Sequence, residues 1–254
     1  MNLHCYHQLP ASYKSASRIA GLISEGWCER ELYCAACESD RLERSAPNTK
    51  AIDFVCPRCS EAYQLKCGKG WNQSSILGAG YQAMRERART DGFPDLVLMQ
   101  YTPSWLVANL LLVPGIFITE SVVKPRRALS PTARRAGWVG STILIGKIPP
   151  DGRIPLVDAG TIIPRATVRS RMNAVRGLRD LSPELRGWAL DVLGVVRQLR
   201  QKDFALSDVY AFEGDLQRLH PRNRNVRAKI RQQLQVLRDL GLIDFTARGH
   251  YRSA

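Results

Sequence analysis

Two Cys-x-x-Cys pairs constrain this chain more than any other feature of its sequence. Cys34 and Cys37 form the first pair and Cys56 and Cys59 form the second, with eighteen residues between the pairs. This spacing is typical of a four-cysteine zinc site, because each short turn points two thiolates at one position and two turns complete a tetrahedron. Four protein ligands leave no open position for a substrate, so the predicted zinc ion is structural and not catalytic.

The N-terminal sequence predicts a reducing compartment for these cysteines. Residues 1–7 lack the basic and apolar regions of a signal peptide, so we expect a cytoplasmic protein. Disulfides are the alternative use of paired cysteines, but the cytoplasm disfavours them. The longest apolar stretch, residues 105–118, is interrupted by Asn109, Pro114 and Gly115 and is shorter than the roughly 20 residues that span a bilayer. No membrane partner is therefore expected.

The charge balance indicates a polyanionic partner. Lysine and arginine total 37 against 23 acidic residues, which gives a net charge of +14. Nucleic acid is the partner that such a charge favours. The arginines cluster in two segments, one with Arg126, Arg127, Arg134 and Arg135 and the other with Arg218, Arg222, Arg224, Arg227, Arg231 and Arg238. A basic surface that only maintains solubility is the alternative, and the clustering disfavours it.

Alternating and continuous apolar runs predict an α/β core in the first part of the chain. Residues 51–55 and 61–66 alternate in polarity on either side of the second cysteine pair, which is typical of a β-hairpin. Helical spacing follows through about residue 89, and the continuous apolar run at 95–101 predicts a buried strand. Residues 105–118 supply one or two further strands. The order strand, strand, helix, strand, strand favours an α/β fold.

The last seventy residues predict a winged helix-turn-helix. Apolar residues recur at helical spacing in three segments, at 185–199, 209–219 and 226–237, and residues 242–252 then alternate as a short hairpin. Residues 165–181 carry five arginines without a clean apolar face, so the domain boundary is placed there. The predicted domains are residues 1–180, with the zinc site, and residues 181–254, which bind DNA.

One side of the third predicted helix carries a set of groups suited to DNA. The set steps by 3, 4, 4 and 3 residues and consists of Arg224, Arg227, Arg231, Gln235 and Arg238. Such spacing places all five side chains on one face, and a recognition helix with this face fits the major groove. A charged face that is merely solvated is the alternative.

Asp53, Gln64 and Lys66 form a candidate catalytic motif on the predicted hairpin. Gln64 and Lys66 are two residues apart on one strand and therefore point to the same side. Phosphodiester hydrolysis needs oxygen ligands for Mg²⁺, which Asp53, Gln64 and the carbonyl of Leu65 can supply. It also needs a cation that orients the attacking water, which Lys66 can supply. By itself the motif is weak, and chance polar residues on a surface hairpin are the alternative.

Longer segments of the sequence resemble a known family. The segments that carry the resemblance are residues 33–37, 53–66, 131–138, 209–213 and 229–239. In these the chain resembles the DpnI-like methyl-directed (type IIM) restriction endonucleases of the PD-(D/E)xK nuclease superfamily, over nearly all 254 residues. The resemblance implies a PD-(D/E)xK nuclease core with an inserted four-cysteine zinc knuckle, followed by a winged helix. It also implies Mg²⁺-dependent cleavage of double-stranded DNA at N6-methyladenine within GATC.

The resemblance assigns roles to individual residues and shows one departure. Asp53 and Lys66 match the family's catalytic positions, whereas the family has glutamate at the position of Gln64. A glutamine offers an oxygen without a negative charge, so weaker Mg²⁺ binding is expected. Trp138 is similar to the family's wall against the methylated base, and Arg134 and Arg135 beside it suit base edges and phosphates.

Three functions follow as hypotheses from these observations. The first is a methylation-dependent restriction endonuclease that acts as a monomer on DNA methylated at adenine N6. The second is a methyl-DNA binding protein whose nuclease activity is weakened or lost because of Gln64. The third is a zinc-containing winged-helix transcriptional regulator, which Asp53 and Lys66 disfavour because a regulator has no need of them.

Overall fold

A computed structural model describes residues 1–5, 14–46, 49, 51–70, 74–90 and 92–254 of the chain. The described residues form seven α-helices, which are α1 Ala16–Glu31, α2 Tyr81–Arg89, α3 Arg165–Ala174, α4 Pro183–Gln198, α5 Leu206–Tyr210, α6 Glu213–Leu219 and α7 Val226–Asp239. Short 3-10 helices occur at Gly115–Phe117, Glu120–Val122, Ile145–Lys147, Pro150–Gly152 and Arg176–Asp180.

The strands fall into three sheets. In chain order they are β1 Glu43–Arg44, β2 Phe54–Val55, β3 Ala62–Gly68, β4 Ile76–Gly80, β5 Asp95–Tyr101, β6 Val107–Val113, β7 Val123–Pro125, β8 Gly140–Ile143, β9 Ile154–Asp158, β10 Thr161–Ile162, β11 Asp203–Ala205, β12 Ile243–Ala247 and β13 His250–Ser253. Contacts group the chain into two compact units. The first comprises Met1–Asn72, Phe93–Gly115 and Gly152–Asn173, and the second Gln73–Gly92, Ile116–Asp151 and Ala174–Ala254.

The first unit is built on a seven-stranded sheet in the order β1-β2-β3-β5-β6-β9-β10. Strands β3 and β5 are parallel, and the other neighbours in this sheet are antiparallel. Large buried side chains, among them Trp27, Phe54 and Tyr63, fill its core. The predicted hairpin is present as β2 and β3, although β2 starts one residue after Asp53. The run at 95–101 is a strand with the predicted bounds.

The second unit contains a small sheet in the order β4-β8-β7. Ile76, Ile143 and Val123 lie opposite one another on its three strands and form a row on the less exposed face. Helix α2 contacts all three strands. The chain between β7 and β8 is a loop, with turns at residues 131–137.

The C-terminal part of the second unit is a three-helix arrangement with a β-wing, and it confirms the predicted winged helix-turn-helix. Helices α4 and α7 contact each other, and β12 and β13 form the predicted hairpin, which β11 extends to three strands. The predicted second helix is divided into α5 and α6, because Ala211 and Phe212 form a turn that separates them. The predicted α/β class is confirmed as well.

Two polar side chains of α4, Arg197 and Asp191, hold this helix within the second unit. Arg197 on α4 forms a two-pronged ion pair with Asp151, with nitrogen–oxygen distances of 2.9 and 2.7 Å. Asp191 on the same helix accepts a hydrogen bond from Ser121 at 2.8 Å and contacts His220 Nε2 at 2.8 Å. The winged helix is therefore joined by side chains to segment 116–151, which comes from the predicted catalytic domain. The domain boundary expected between residues 180 and 181 stays a prediction.

Among the described residues, no helix has both the length and the hydropathy needed to cross a membrane.

Candidate nuclease site and nucleic-acid interface

The four predicted zinc ligands converge on one point. The sulfur atoms of Cys34, Cys37, Cys56 and Cys59 all lie within 4.8 Å of one another. Cys34 Sγ is 3.6 Å from Cys59 Sγ, and Cys37 Sγ is 3.5 Å from Cys56 Sγ. Tetrahedral zinc with Zn–S bonds of about 2.3 Å places its sulfurs about 3.8 Å apart. The cluster could therefore hold a zinc ion.

Backbone amides around the second cysteine pair favour a thiolate. Burial by itself raises the pKa of the Cys56 thiol, but the backbone N–H groups of Cys59 and Arg58 donate to its sulfur and bring the pKa down to about 6. The Arg58 nitrogen lies 3.4 Å from Cys56 Sγ. A sulfur that accepts backbone N–H donors and ionises near neutral pH is suited to bind a metal ion.

Helix α3 holds the first cysteine turn in place. Arg169 donates hydrogen bonds to the carbonyls of Cys34 and Ser39, at 3.3 and 3.2 Å, and pairs with Glu38 at 2.5 Å. Its guanidinium also lies 5.5 Å from the ring centre of Tyr33. This arginine therefore stabilises the turn, and its charge is not available as a free DNA contact.

Tyr63 joins the cysteine cluster to the strand that carries the candidate catalytic residues. Its side chain is 1% exposed, and its hydroxyl lies 3.2 Å from Cys34 Sγ. The same hydroxyl accepts the backbone N–H of Ala35 at 3.3 Å. Because Tyr63 lies on β3 directly before Gln64, the cluster contacts the strand that carries Gln64 and Lys66.

The structure brings Asp53 to the Gln64–Lys66 segment. The backbone N–H of Asp53 donates to the carbonyl of Tyr63 at 2.9 Å, and the backbone N–H of Leu65 donates to Asp53 Oδ2 at 2.7 Å. The Asp53 carboxylate is thus held at the amide that lies between Gln64 and Lys66. Gln64 and Lys66 pair with Leu96 and Leu98 of β5 and project to one side of the sheet.

These residues are only partly buried, so the site can be reached from solvent. Asp53, Gln64 and Lys66 all have intermediate exposure. Asp53 Oδ1 and the Gln64 side-chain oxygen are oxygen donors of the kind that Mg²⁺ prefers. Leu65 contributes its N–H to Asp53, and its carbonyl stays a predicted ligand.

Trp138 lies on the small sheet of the second unit and not in a core. Its half-buried indole covers Gly80 and Gly140, which face each other on β4 and β8. A Cβ atom placed on Gly140 would be 2.9 Å from Trp138 Cζ3, so only glycine leaves room for the ring. The guanidinium of Arg135 stacks on the indole at 4.7 Å, and Arg134 beside it is exposed.

Four of the five residues predicted to form a recognition face lie on α7, and the fifth does not. Arg227, Arg231, Gln235 and Arg238 are exposed on this helix. Arg224 was predicted to share the helix but precedes it, because the backbone N–H of Asn225 donates to Asn223 Oδ1 at 2.7 Å in a turn that delays the helix start. Arg224 is nevertheless exposed next to the helix N-terminus.

Three of these arginines have partners within the protein. Arg227 pairs with Glu213 at 2.7 Å and lies 5.1 Å from the ring centre of Tyr210. Arg231 donates to the Tyr210 hydroxyl at 2.7 Å, and Arg238 pairs with its neighbour Asp239 at 2.7 Å. These contacts orient the arginine side chains across one surface of the helix.

Family models match the chain on both sides of residue 182. The model of the DpnI family, described as the Dam-replacing family, matches residues 1–181. A second model, the Dam-replacing HTH domain, matches residues 184–253. The chain belongs to the Dam-replacing family. The predicted resemblance to DpnI-like methyl-directed restriction enzymes is thereby confirmed, and with it a restriction-nuclease family with a DNA-binding helix-turn-helix domain.

Sequence reasoning missed several residues that shape this Dam-replacing family member. Tyr63 appears in the sequence only as an apolar position of a strand, and its hydroxyl contacts depend on the folded cysteine turn. Arg169 appears in the sequence only as one of five arginines without a clean apolar face, whereas in the structure it binds the first cysteine turn. Gly80 and Gly140 are 60 positions apart, so no local pattern could pair them. Gly140, two residues after Trp138, was the available signal.

Proposed function

We propose that this protein is a methylation-dependent restriction endonuclease, a type II site-specific deoxyribonuclease. It hydrolyses phosphodiester bonds of double-stranded DNA at N6-methyladenine within GATC, and it depends on Mg²⁺. The observation that carries the proposal is the hydrogen bond from the Leu65 amide to Asp53 Oδ2, which holds a carboxylate between Gln64 and Lys66. Membership of the Dam-replacing family supports it.

In this proposal the oxygens of Asp53, Gln64 and the Leu65 carbonyl hold Mg²⁺. When bound, the ion supplies Lewis-acid chemistry at the phosphate and lowers the pKa of its water. Lys66 orients the attacking water with its ammonium group and stabilises the negative charge that develops on the phosphate. Asp53 is the only one of the three to contribute a negative charge, so the ion is held more weakly than by two carboxylates.

The cysteine cluster is proposed to bind one structural Zn²⁺ through Cys34, Cys37, Cys56 and Cys59. The sulfur spacing and the amide donors to Cys56 support this assignment. Seven free cysteines are suited to a reducing, cytoplasmic setting. The ion would stabilise β3 through Tyr63 and would take no part in chemistry.

DNA recognition is proposed to involve both sequence domains, residues 1–180 and 181–254, in a monomer. Trp138 forms a wall against the methylated base, with Arg134 and Arg135 at neighbouring phosphates and base edges. The winged helix contributes a second set of contacts to the duplex, Arg224, Arg227, Arg231, Gln235 and Arg238.

The free energy that one methyl group contributes to binding favours a protein that contacts both methyl groups of the palindromic GATC site. One buried methyl group contributes about 0.8 kcal/mol, and an apolar pocket discriminates one such group by about 1–3 kcal/mol. Contact with one methyl group therefore gives about a 5- to 200-fold preference for methylated over unmethylated DNA. If the free energies of the two methyl contacts add, this factor is squared. The larger preference suits a restriction enzyme that must leave unmethylated DNA uncut.

Gln64 favours one second candidate function. A protein that lacks the second carboxylate and has lost catalysis would still bind methylated DNA through Trp138 and the winged helix. The regulator hypothesis does not account for the Asp53–Leu65 contact.

Incubation of the protein and Mg²⁺ with methylated and unmethylated plasmids separates these functions. Cleavage of the GATC-methylated plasmid alone is the expected result. Binding without cleavage would instead support the methyl-DNA binding protein, and indifference to methylation in both binding and cleavage would support the regulator.

A further inference from the structure

The small sheet of the second unit has an outward face with its own row of side chains. Leu77 on β4 lies opposite Thr142 on β8, and Thr142 lies opposite Lys124 on β7. The neighbouring row, with Ile76, Ile143 and Val123, points the other way. Leu77 is 63% exposed, and Lys124 is exposed as well. The outward row thus offers an apolar group and a cation across three strands.

Trp138 lies over the same outward face. Thr142 and Gly140 are two residues apart on β8 and therefore face the same side of the sheet. A Cβ on Gly140 would contact both Trp138, at 2.9 Å, and the Arg126 side chain, at 3.5 Å. Trp138 and Arg126 therefore continue the surface that Leu77, Thr142 and Lys124 begin.

Two of the three strands of this face, β7 and β8, belong to a long stretch of the chain that is free of acidic residues. Between Glu120 and Asp151, thirty consecutive residues contain no aspartate or glutamate and six cations, Lys124, Arg126, Arg127, Arg134, Arg135 and Lys147. No acidic side chain of the described residues forms an ion pair with Lys124, Arg126 or Arg127. Cations whose charge is not neutralised by an acidic side chain in the described part of the chain are complementary to a polyanion.

We propose that the outward face of the β4-β8-β7 sheet binds the DNA duplex beside the base that Trp138 contacts. Lys124 and Arg126 bind backbone phosphates, and Leu77 packs against the sugar and base edges of the same duplex. The proposal rests on the proposed function, because it takes the duplex read by Trp138 as the occupant. It adds Leu77, Lys124 and Arg126 as binding residues.

The dimensions of a sheet fit this occupant. Two side chains that are two residues apart on one strand lie about 7 Å apart on the same face of the sheet. This distance equals about two base-pair steps of 3.4 Å along a DNA duplex. Leu77 and Lys124 are separated by two strand spacings of about 4.8 Å each. One face can therefore place an apolar contact and a phosphate contact on the same stretch of duplex, next to Trp138.

Two substitutions with matched controls test the face. Lys124→Ala is compared with Lys14→Ala, which removes the same charge from an exposed position in the first unit. Leu77→Ser is compared with Ile162→Ser, which removes another exposed aliphatic side chain from a strand, also in the first unit. Binding of methylated and unmethylated GATC duplexes is measured without metal over a range of salt concentrations, and circular dichroism confirms that each variant is folded.

Each variant has its own expected signature. Lys124→Ala weakens binding of both duplexes equally and reduces the slope of log K against log salt by about 0.9, because one phosphate contact is lost. Leu77→Ser weakens binding about 3- to 10-fold and leaves the slope unchanged, because no charge is removed. Both control variants bind as the wild type does.

The outcomes separate this inference from the proposed function. If the wild type binds the methylated duplex tightly but Lys124→Ala and Leu77→Ser bind like their controls, the sheet-face proposal is wrong and the proposed function stands. If the wild type does not prefer the methylated duplex, both are wrong. If sedimentation shows a dimer that Leu77→Ser converts to a monomer, the face is an interface between copies of the chain and the proposal is overturned.

Discussion

The hydroxyl of Tyr63 lies 3.2 Å from Cys34 Sγ, while the carbonyl of the same residue accepts the backbone N–H of Asp53 at 2.9 Å. One side chain and one carbonyl thus connect the cysteine cluster to the candidate catalytic carboxylate. The next residue on the strand, Gln64, is a candidate metal ligand. Because both contacts are made by one residue, the cysteine turn is linked to the strand of the candidate catalytic residues without any intervening loop.

Tyr63→Phe is expected to lower the free energy of unfolding by about 1–2 kcal/mol. The substitution removes the contacts of the hydroxyl with Cys34 and with the Ala35 N–H, and a hydrogen bond typically contributes about 0.5–1.5 kcal/mol. Urea denaturation measures the change.

Tyr33→Phe provides the matched control for this prediction. Tyr33 is as deeply buried as Tyr63, and its hydroxyl has no hydrogen-bond partner among the described residues. The control should therefore alter stability by less than about 0.5 kcal/mol. Equal losses in both variants would show that the Tyr63 hydroxyl contacts contribute nothing specific.

Asp53→Asn and Lys66→Met are expected to reduce cleavage of methylated DNA by about 100-fold or more. The asparagine can still accept the Leu65 N–H but removes the negative charge from the proposed metal site, and the methionine keeps the side-chain length without an ammonium group. Cleavage of a labelled duplex and binding of the same duplex are measured in parallel. Binding should stay within a few-fold of wild type, and a fully active variant would contradict the assignment of the active site.

Gln64→Glu is expected to lower the Mg²⁺ concentration that gives half-maximal cleavage by about tenfold, since a second charged oxygen ligand strengthens binding. A metal titration at fixed protein and DNA concentration gives this value directly. Gln64→Ala is the companion variant and should raise the requirement. If Gln64→Glu needs more Mg²⁺ than the wild type does, position 64 is not a metal ligand.

The wild-type protein should contain one zinc ion per chain, and Cys56→Ser should lose it. Because a structural zinc ion contributes directly to folding, the variant should also unfold at a lower temperature. Elemental analysis and thermal unfolding measure the two effects. Cys67→Ser is the control, since Cys67 is exposed and lies outside the cluster. A zinc-free wild type would contradict the prediction.

Local patterns predicted the elements whose signal is contained in a few neighbouring residues. The strand at Asp95–Tyr101 was found because its apolar run is continuous, and the winged helix because its helices are amphipathic. Strand β4 was missed, since Gly78 and Gly80 interrupt any alternation. Helix α3 was missed because its arginines leave only a narrow apolar stripe, formed by Val168 and Met172. Arg169 binds the first cysteine turn, and Arg165 pairs with Asp40 just beyond it.

In the candidate site, too, some features are visible in the local sequence and others depend on the folded chain. The cysteine spacing and the Asp53–Gln64–Lys66 pattern are visible in the sequence. The contact of Asp53 with the Leu65 amide and the glycine pair beneath Trp138 depend on strand register, which no single segment encodes. The start of α7 after Arg224 was also missed, because an Asn223 side chain closes the preceding turn.

The most direct test of this account is the rate at which the wild-type protein, with Mg²⁺, cuts a labelled duplex that contains one GATC site. The duplex is supplied either methylated at both adenines or unmethylated, and the two initial rates are compared at equal DNA concentration. The account predicts cleavage within the site and a methylated-to-unmethylated ratio of at least about 25, the square of the smallest single-methyl factor. Equal rates for the two duplexes, or no cleavage of the methylated one, would contradict it.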